Sequence, residues 1–347
     1  MTATAVPTQT NTTSKNDTNI TTDAAAASDR KMSIQQLNWK NGTIPVVLAL
    51  APSSLSSPHT PAPLHTLLHR QTFIYCSITK KVLNKFEEHA VACCVPKSSS
   101  NGGDKGQNEA SRYWLEDVES GLPLRWNLFA GVLFDLFHGD IIQADMHQHL
   151  PWKLYVHFTP LPGNQMRCDH GLQTVRRYYL SSLKQALYLQ HESSKLAMQM
   201  TKQSHDDLWE AIIRSDYGSF WEVTRACDIQ TDVHVDRSVS TGENADCAWP
   251  HLIPVRLYWN KHPVISRPCH VKRDYDKESG STEHKNDDVT LGELFKEWLP
   301  QIDFEGRNSN VMWKVQGVQV PLDFTVVNLW RNFCHPDLFL YIIVLDR

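Results

Sequence analysis

The sequence lacks the cysteine spacings that mark a disulfide framework or a zinc-binding motif. Its eight cysteines form no C-x-x-C pair and follow no regular interval along the 347 residues. Small secreted domains and structural zinc sites show such patterns, whereas scattered cysteines are typical of reduced, mostly buried thiols in a cytosolic protein. We therefore expect a cytoplasmic chain with free thiols at Cys76, Cys93, Cys94, Cys168, Cys227, Cys247, Cys269 and Cys334.

Long apolar runs and a strong net charge are missing as well. The runs IPVVLALA and FLYIIVL are far shorter than the roughly 20 residues that cross a bilayer. The N-terminus is rich in Thr, Ser, Ala and Asn and has no apolar core of the signal-peptide type. The formal charge of -4 argues against nucleic-acid binding by bulk electrostatics. We expect a soluble protein that binds no nucleic acid.

Motifs for catalysis and metal binding are also absent. The chain contains no phosphate-binding loop, dinucleotide fingerprint, nucleophile elbow or H-E-x-x-H pair. His147 and His149 in a polar loop, or His89 near Cys93 and Cys94, could hold zinc, but solvated loop histidines are the commoner case. The two adjacent cysteines would be nucleophiles only in a basic, partly exposed setting, so we expect packing thiols. The sequence predicts no metal and no cofactor.

The composition does provide for proper cores, with 41% hydrophobic residues and 11 tryptophans. Shifts in composition divide the chain into five segments. We predict a disordered leader at 1–32, a first ubiquitin-like domain with loop insertions at 33–162, a helix-rich domain at 163–230, a linker at 231–249 and a second ubiquitin-like domain at 250–347.

A weak internal repeat supports two domains of one fold. TIPVVLAL and TFIYCSI are strand-like, and an amphipathic helix follows over 79–94. The order strand, turn, strand, apolar helix, strand then occurs over 112–162 and again over 311–347. Gly121 and Gly317 stand at the tight turns of the two copies. The fold class expected is α+β, with two β-grasp sheets flanking the helices.

The second copy begins with its own hairpin and helix. Asn260 to Pro263 form the turn of the hairpin in IPVRLYWNKHPVISRP. Thr290 and Glu293 have the spacing of a capping box at the start of TLGELFKEWLP.

The middle region is predicted to be helical. One helix is expected over 171–202, a second from SHDDLWEAII with Ser204 as the cap, and a third in GSFWEVTRAC. The aromatic residues of the last two are expected to pack in the helical core rather than to bind a partner.

Lys184 lies on the polar side of the long predicted helix. At 100° per residue, Lys184, Lys195 and Lys202 share that side with Arg177, opposite the apolar stripe. The surrounding stretch offers no base, metal or phosphate loop, and spacing alone does not mark Lys184 over the other two lysines. An exposed lysine there can be reached by another protein.

Six separated blocks resemble one known family, the autophagy protein 5 family. They are YWLEDVESGLPLRWNLFAGVLFDLF, LPWKLYVHF, LWEAIIRSDYGSFWEV, IPVRLYWNKHPVISRP, TLGELFKEWLP and FLYIIVL, in the family's order. The resemblance covers the chain after about residue 35, interrupted by loop insertions. It implies the two ubiquitin-like folds and the helix-rich region already indicated by the pattern.

The resemblance also implies a function. SSLKQAL matches the region in which the family's lysine takes the C-terminal glycine of autophagy protein 12, so Lys184 is expected to carry that isopeptide bond. E1-like and E2-like enzymes would supply the chemistry. The conjugate, with the helix of autophagy protein 16 in an apolar groove, would act like an E3 at the phagophore membrane. It would promote transfer of autophagy 8-type proteins to phosphatidylethanolamine.

Two alternatives remain open from the sequence. The chain could be a ubiquitin-fold adaptor that binds partners without being modified. It could also be an E2-like thiol enzyme that uses Cys93 or Cys94, although no arrangement of His or Asn around either cysteine supports it.

Overall fold

The computed structural model describes residues 33–91, 112–139, 149–163, 166, 168, 171–227, 251–259, 262–272, 288–304 and 311–346. The predicted leader (1–32), the predicted linker (231–249) and the pair Cys93 and Cys94 lie outside the described residues.

The elements of the first sheet domain are α1 Ile34–Asn41, β1 Thr43–Leu50, β2 Leu64–His69, α2 Ile74–Phe86, β3 Trp114–Asp117, α3 Ala130–His138 and β4 Trp152–His157. The sheet has the strand order β2-β1-β4-β3. Its central strands β1 and β4 are parallel, and each outer strand is antiparallel to its neighbour. Helix α1 precedes the sheet, α2 follows β2, and α3 connects β3 to β4, which is the β-grasp arrangement.

The segment TFIYCSI is helical, so the predicted strand there is wrong. Helix α2 begins at Ile74, directly after Phe73. Its β-branched and aromatic residues favour a strand individually, but Ile74, Ile78 and Val82 recur at helical spacing and are fully buried. They share one core with the inward residues of β1, whose burial alternates along the strand. Burial of this helical stripe outweighs the intrinsic β-propensity.

The helical region contains four helices over 171–227. They are α4 Leu172–His191, α5 Lys195–Gln199, α6 Lys202–Arg214 and α7 Tyr217–Ala226. The single helix predicted over 171–202 is wrong, because Glu192 adopts a left-handed φ of 52° that ends α4. The predicted cap at Ser204 is also wrong, since the Thr201 side chain caps α6 by accepting from the Ser204 amide.

Trp209 and Phe220 pack in the helical core as expected, whereas Tyr217 and Trp221 are half-buried. Trp209 and Phe220 are buried, and the Phe220 ring lies 4.9 Å from that of Trp39 in α1. Helix α1, which the sequence did not predict, thereby covers the helical core. Its Gln35 side chain also donates to Cys334 Sγ at 3.2 Å, which links α1 to the C-terminal sheet domain.

The elements of the second sheet domain are β5 Leu252–Trp259, β6 Ile265–His270, α8 Leu291–Trp298, β7 Val311–Lys314, α9 Val326–Phe333 and β8 Leu340–Asp346. Its sheet repeats the first, with strand order β6-β5-β8-β7 and a parallel central pair. The antiparallel pairing of β5 with β6 confirms the predicted hairpin, although Asn260 and Lys261 of its predicted turn lie outside the described residues. The α+β class with two β-grasp sheets is also confirmed.

Two local predictions in these domains have opposite outcomes. The capping box of α8 is confirmed, because Thr290 Oγ1 accepts from the Glu293 amide and Glu293 Oε2 accepts from the Thr290 amide. The second strand predicted in each repeat is wrong: only the single bridges Glu116–Pro123 and Val315–Val318 form there. Pro123 and Pro321 have no backbone N–H, so neither can donate the hydrogen bond that would extend a strand ladder at its position.

The glycine of each turn behaves as the sequence predicts. Gly121 has φ +67° and Gly317 has φ +81°, in the region that favours glycine. A Cβ atom at Gly317 would also lie 2.8 Å from Arg70 Nη2, because the first and second sheet domains approach closely there.

His335 is buried at the same junction. Its ring centroid lies 5.0 Å from that of Phe129 and 4.5 Å from that of Tyr341. Burial is the largest cause that holds the pKa of His335 well below its usual value, and the guanidinium charges of Arg70 and Arg256 act in the same direction. The folded protein therefore keeps this imidazole neutral.

We expect this histidine to make folding sensitive to acid. The unfolded chain binds a proton at His335 below about pH 6.5 while the folded chain does not. The free energy of unfolding therefore decreases as the pH is lowered below that value. His335→Gln should flatten that dependence by up to about 1.4 kcal/mol per pH unit. Urea unfolding of both proteins at about pH 7.5 and about pH 5.5 measures the difference. Equal pH dependence in the two proteins would contradict the assignment.

Candidate modification site

Lys184 lies in the fourth turn of α4 with its side chain exposed, as the helical spacing predicts. The opposite side of α4 is buried in the core shared with the first sheet. The buried apolar residues of that side are Val175, Tyr179, Leu183, Ala186 and Leu187.

Residues on either side of Lys184 anchor this turn to the second sheet domain. Ser182 Oγ donates to Asp337 Oδ2 at 2.6 Å. Gln185 Oε1 accepts from Arg256 Nη2 at 2.8 Å. Two hydrogen bonds to one domain therefore fix the backbone that carries Lys184, while its amine faces solvent.

The anchor is a buried charged cluster. Arg256 Nη1 lies 3.2 Å from Asp337 Oδ2, and it donates to Tyr341 Oη at 2.7 Å. Tyr341 Oη in turn donates to Asp337 Oδ2 at 2.8 Å. The Arg256 guanidinium also lies over the Phe339 ring, 3.7 Å from its centroid. These groups satisfy one another inside the protein, where an unpaired charge would be costly.

Burial dominates the electrostatics of this cluster. It raises the pKa of Asp337, while the Arg256 guanidinium and the hydrogen bonds from Ser182 and Tyr341 oppose the rise. Burial, together with the Asp337 charge, raises the pKa of Tyr341 well above its usual value, so the phenol stays protonated and can donate.

On the exposed side, Lys184 lies close enough to α6 for its charge to act there. The pKa of His205 is lowered first by burial and then by the charges of Lys184 and Arg176, against the opposing effect of Asp206. Arg176 and Asp206 form an ion pair that joins α4 to α6. Lys184 thus lies beside a mixed-charge patch at the α4–α6 contact.

Exposure does not single out Lys184 among the three candidate lysines. Lys195 and Lys202 are exposed too. They are the first residues of α5 and α6, however, and not on α4, so the shared face predicted for one long helix is wrong. Lys184 differs by its place in the middle of an anchored helix.

Burial disfavours the thiolate at two of the described cysteines. Cys76, Cys168, Cys227, Cys269 and Cys334 form no disulfide. Burial raises the pKa of Cys269 to about 12 and that of Cys334 to about 12, so neither gives a thiolate near neutral pH.

The cluster around Arg256 and Asp337 was missed by sequence reasoning. Arg256 is the one charged residue in the otherwise apolar strand LIPVRLYW, which is a signal for a buried partner. Asp337 lies 81 positions later, and spacing could not pair them.

A chain with these features is a protein of two ubiquitin-like folds: two β-grasp domains flank a helical bundle that presents an exposed lysine, Lys184. The family models for "Autophagy protein ATG5" match residues 39–158 (UblA domain), 172–226 (alpha-helical bundle region) and 252–344 (UblB domain). The chain belongs to the autophagy protein 5 family, and its role is in autophagy.

Individual relatives agree with this assignment. "Autophagy protein 5" of Penicillium rubens is 24% identical over 90% of this chain and 96% of that protein. "Autophagy protein 5" of Oryza sativa subsp. japonica is 26% identical over 49% of this chain and 50% of that protein. The crystal structure of Kluyveromyces marxianus Atg5 has a TM-score of 0.64 at 18% identity and covers 89% of this chain and 98% of that one, which shows a shared fold.

None of the helices in the described ranges has both the length and the apolar content that a bilayer span needs.

Proposed function

We propose that this chain is a non-enzymatic scaffold that becomes covalently joined through Lys184 to autophagy protein 12. The observation that carries the proposal is the setting of Lys184, an exposed amine on a turn held by hydrogen bonds at Ser182 and Gln185. The string SSLKQAL around it resembles the acceptor region of the family, which also supports the proposal. A fixed backbone with a mobile, solvent-facing amine suits entry into the active site of another enzyme.

The bond-forming step uses chemistry from outside this chain. The neutral Lys184 amine attacks the thioester carbonyl that joins the C-terminal glycine of autophagy protein 12 to a cysteine of an E2-like enzyme. The C–N bond forms, the C–S bond breaks, and the enzyme's thiolate leaves. A lysine at its ordinary pKa is almost wholly charged near neutral pH, so the E2-like enzyme must desolvate it or accept its proton.

The conjugate would then act in an E3-like manner. Together with autophagy protein 16, whose helix would bind in an apolar groove of the scaffold, it would recruit an E2-like enzyme charged with an autophagy 8-type protein. It would promote transfer of that protein to phosphatidylethanolamine. The chain would work in the cytoplasm and peripherally at the phagophore membrane, without a cofactor or bound nucleic acid.

A reconstituted lipidation reaction tests this function. Charged E2-like enzyme, an autophagy 8-type protein and vesicles that contain phosphatidylethanolamine are mixed with the purified conjugate or with the unconjugated chain. The proposal predicts that the conjugate accelerates lipidation and that the unconjugated chain does not. Equal stimulation by the unconjugated chain would favour an unmodified adaptor. Loss of stimulation after Cys93→Ser or Cys94→Ser in the conjugate would instead favour a thiol enzyme.

A further inference from the structure

Three side chains that can bind a metal meet at one end of the first sheet. Glu119 lies in the turn after β3, His138 is the last residue of α3, and His149 precedes β4. Glu119 Oε2 lies 3.0 Å from His149 Nδ1 and 3.6 Å from His138 Nδ1. The three ligand atoms lie within 4.8 Å of one another.

These distances fit a tetrahedral site. With metal–ligand bonds of about 2.0–2.1 Å, two ligand atoms at a tetrahedral angle are roughly 3.3 Å apart. Both separations from Glu119 Oε2 bracket that value. The ligand nitrogens of His138 and His149 lie within 4.8 Å of each other, so the two rings would move closer together around a bound ion.

A buried carboxylate already orients one of the histidines. His138 Nε2 lies 3.1 Å from Asp117 Oδ1, and since a carboxylate accepts, this nitrogen carries the proton. In the neutral tautomer that makes this bond, the lone pair is on Nδ1, the nitrogen nearest Glu119. Trp152 Nε1 and the Ser120 amide each donate to Asp117 at 2.7 Å and hold it in place. A carboxylate behind a ligating histidine is the usual outer support of zinc sites.

The cluster is open to solvent on the side of Glu119 and His149. His138 is almost fully buried, whereas the His149 side chain is 27% exposed and that of Glu119 is 57% exposed. His149 is thus half-buried and bonded, unlike the solvated loop histidine that the sequence predicted, while His147 lies outside the described residues. Three protein ligands and an open fourth position are a known zinc arrangement.

We infer that Glu119, His138 and His149 bind a zinc-class divalent cation. Two imidazole nitrogens and one carboxylate oxygen select zinc over calcium or magnesium, which take oxygen ligands. The bound ion joins the turn after β3, the end of α3 and the residue leading into β4. It therefore stabilises the first sheet domain at the end of α3.

Metal binding by the whole chain tests the inference. The chain, purified without a histidine tag and stripped with a chelator, is titrated with Zn²⁺ by calorimetry, and bound zinc is counted after dialysis. We expect one zinc per chain and a higher thermal midpoint. His149→Ala and Glu119→Gln should each weaken binding at least tenfold. Both side chains are partly exposed, so these variants should fold.

The controls separate a built site from adventitious binding. His59→Ala removes an exposed histidine elsewhere in the same domain and should leave zinc binding unchanged. Ca²⁺ should neither bind nor stabilise the chain. Zinc binding that is equal in His149→Ala and wild type would overturn the inference. The inference would also be overturned if the wild type took up no zinc while Glu119→Gln lowered the thermal midpoint. That result would show that Glu119 only forms an ion pair with the histidines.

Discussion

Lys184→Arg should remove the thiol-resistant, slowly migrating form of the chain from cell extracts completely. An isopeptide bond needs a primary amine, and arginine keeps the charge and exposure at this position without being an acceptor. The fold should be unaffected, because the side chain points to solvent from a turn held by Ser182 and Gln185. Immunoblots under reducing, denaturing conditions, before and after induction of autophagy, measure the effect.

Lys195→Arg and Lys202→Arg are matched controls for that experiment. Both lysines are exposed and lie in the same helical region, so an effect of general charge or exposure would appear in them too. We expect the slow form to persist in both. A slow form that survives Lys184→Arg but not Lys195→Arg would move the acceptor to α5. If wild type shows no slow form under induction, the unmodified adaptor becomes the better account.

Arg256→Met should lower the free energy of unfolding by about 3–5 kcal/mol, because it leaves the buried Asp337 carboxylate without its countercharge. Asp337 is 1% exposed and has the Arg256 guanidinium 3.2 Å away. The substitution also removes the donor to Gln185, which releases one of the two anchors beside Lys184. The urea concentration at half-unfolding, followed by tryptophan fluorescence, measures the loss.

Two further variants separate charge burial from loss of bulk. Arg256→Met combined with Asp337→Leu removes both charges and should recover part of the stability. Arg214→Met breaks an exposed pair with Glu210 and should cost no more than about 0.5 kcal/mol. An Arg256→Met protein as stable as Arg214→Met would show that the buried pair does not anchor the helix.

The helix and strand pattern was predictable where one local signal dominates. The capping box at Thr290 and Glu293 depends only on residues within one helical turn, so the sequence predicts it, and α8 begins there as expected. The β-branched residues of TIPVVLAL likewise predict a strand, and β1 forms there. Over 72–78 two sequence features favour different structures: the β-branched residues favour a strand, and the spacing of the apolar residues favours a helix. There the helical stripe of α2 is stabilised by a core that only the folded chain assembles.

Interactions distant in sequence were beyond such reasoning. No glycine or proline marks the break at Glu192, so the sequence predicted one continuous helix where the structure has α4 and α5. Arg256 and Asp337 meet only once β5 and β8 pair in parallel. Helical spacing predicted that Lys184 is exposed. The choice of Lys184 over Lys195 as the proposed acceptor rests on the anchoring of α4 and on the family resemblance.

The most direct test of the central claim is to digest the slowly migrating form with a protease and map its branched peptide by mass spectrometry. The account predicts a peptide that contains Lys184 with the C-terminal glycine of autophagy protein 12 attached to its Nζ. An unmodified Lys184 peptide in the slow form, with the branch on another lysine, would contradict it.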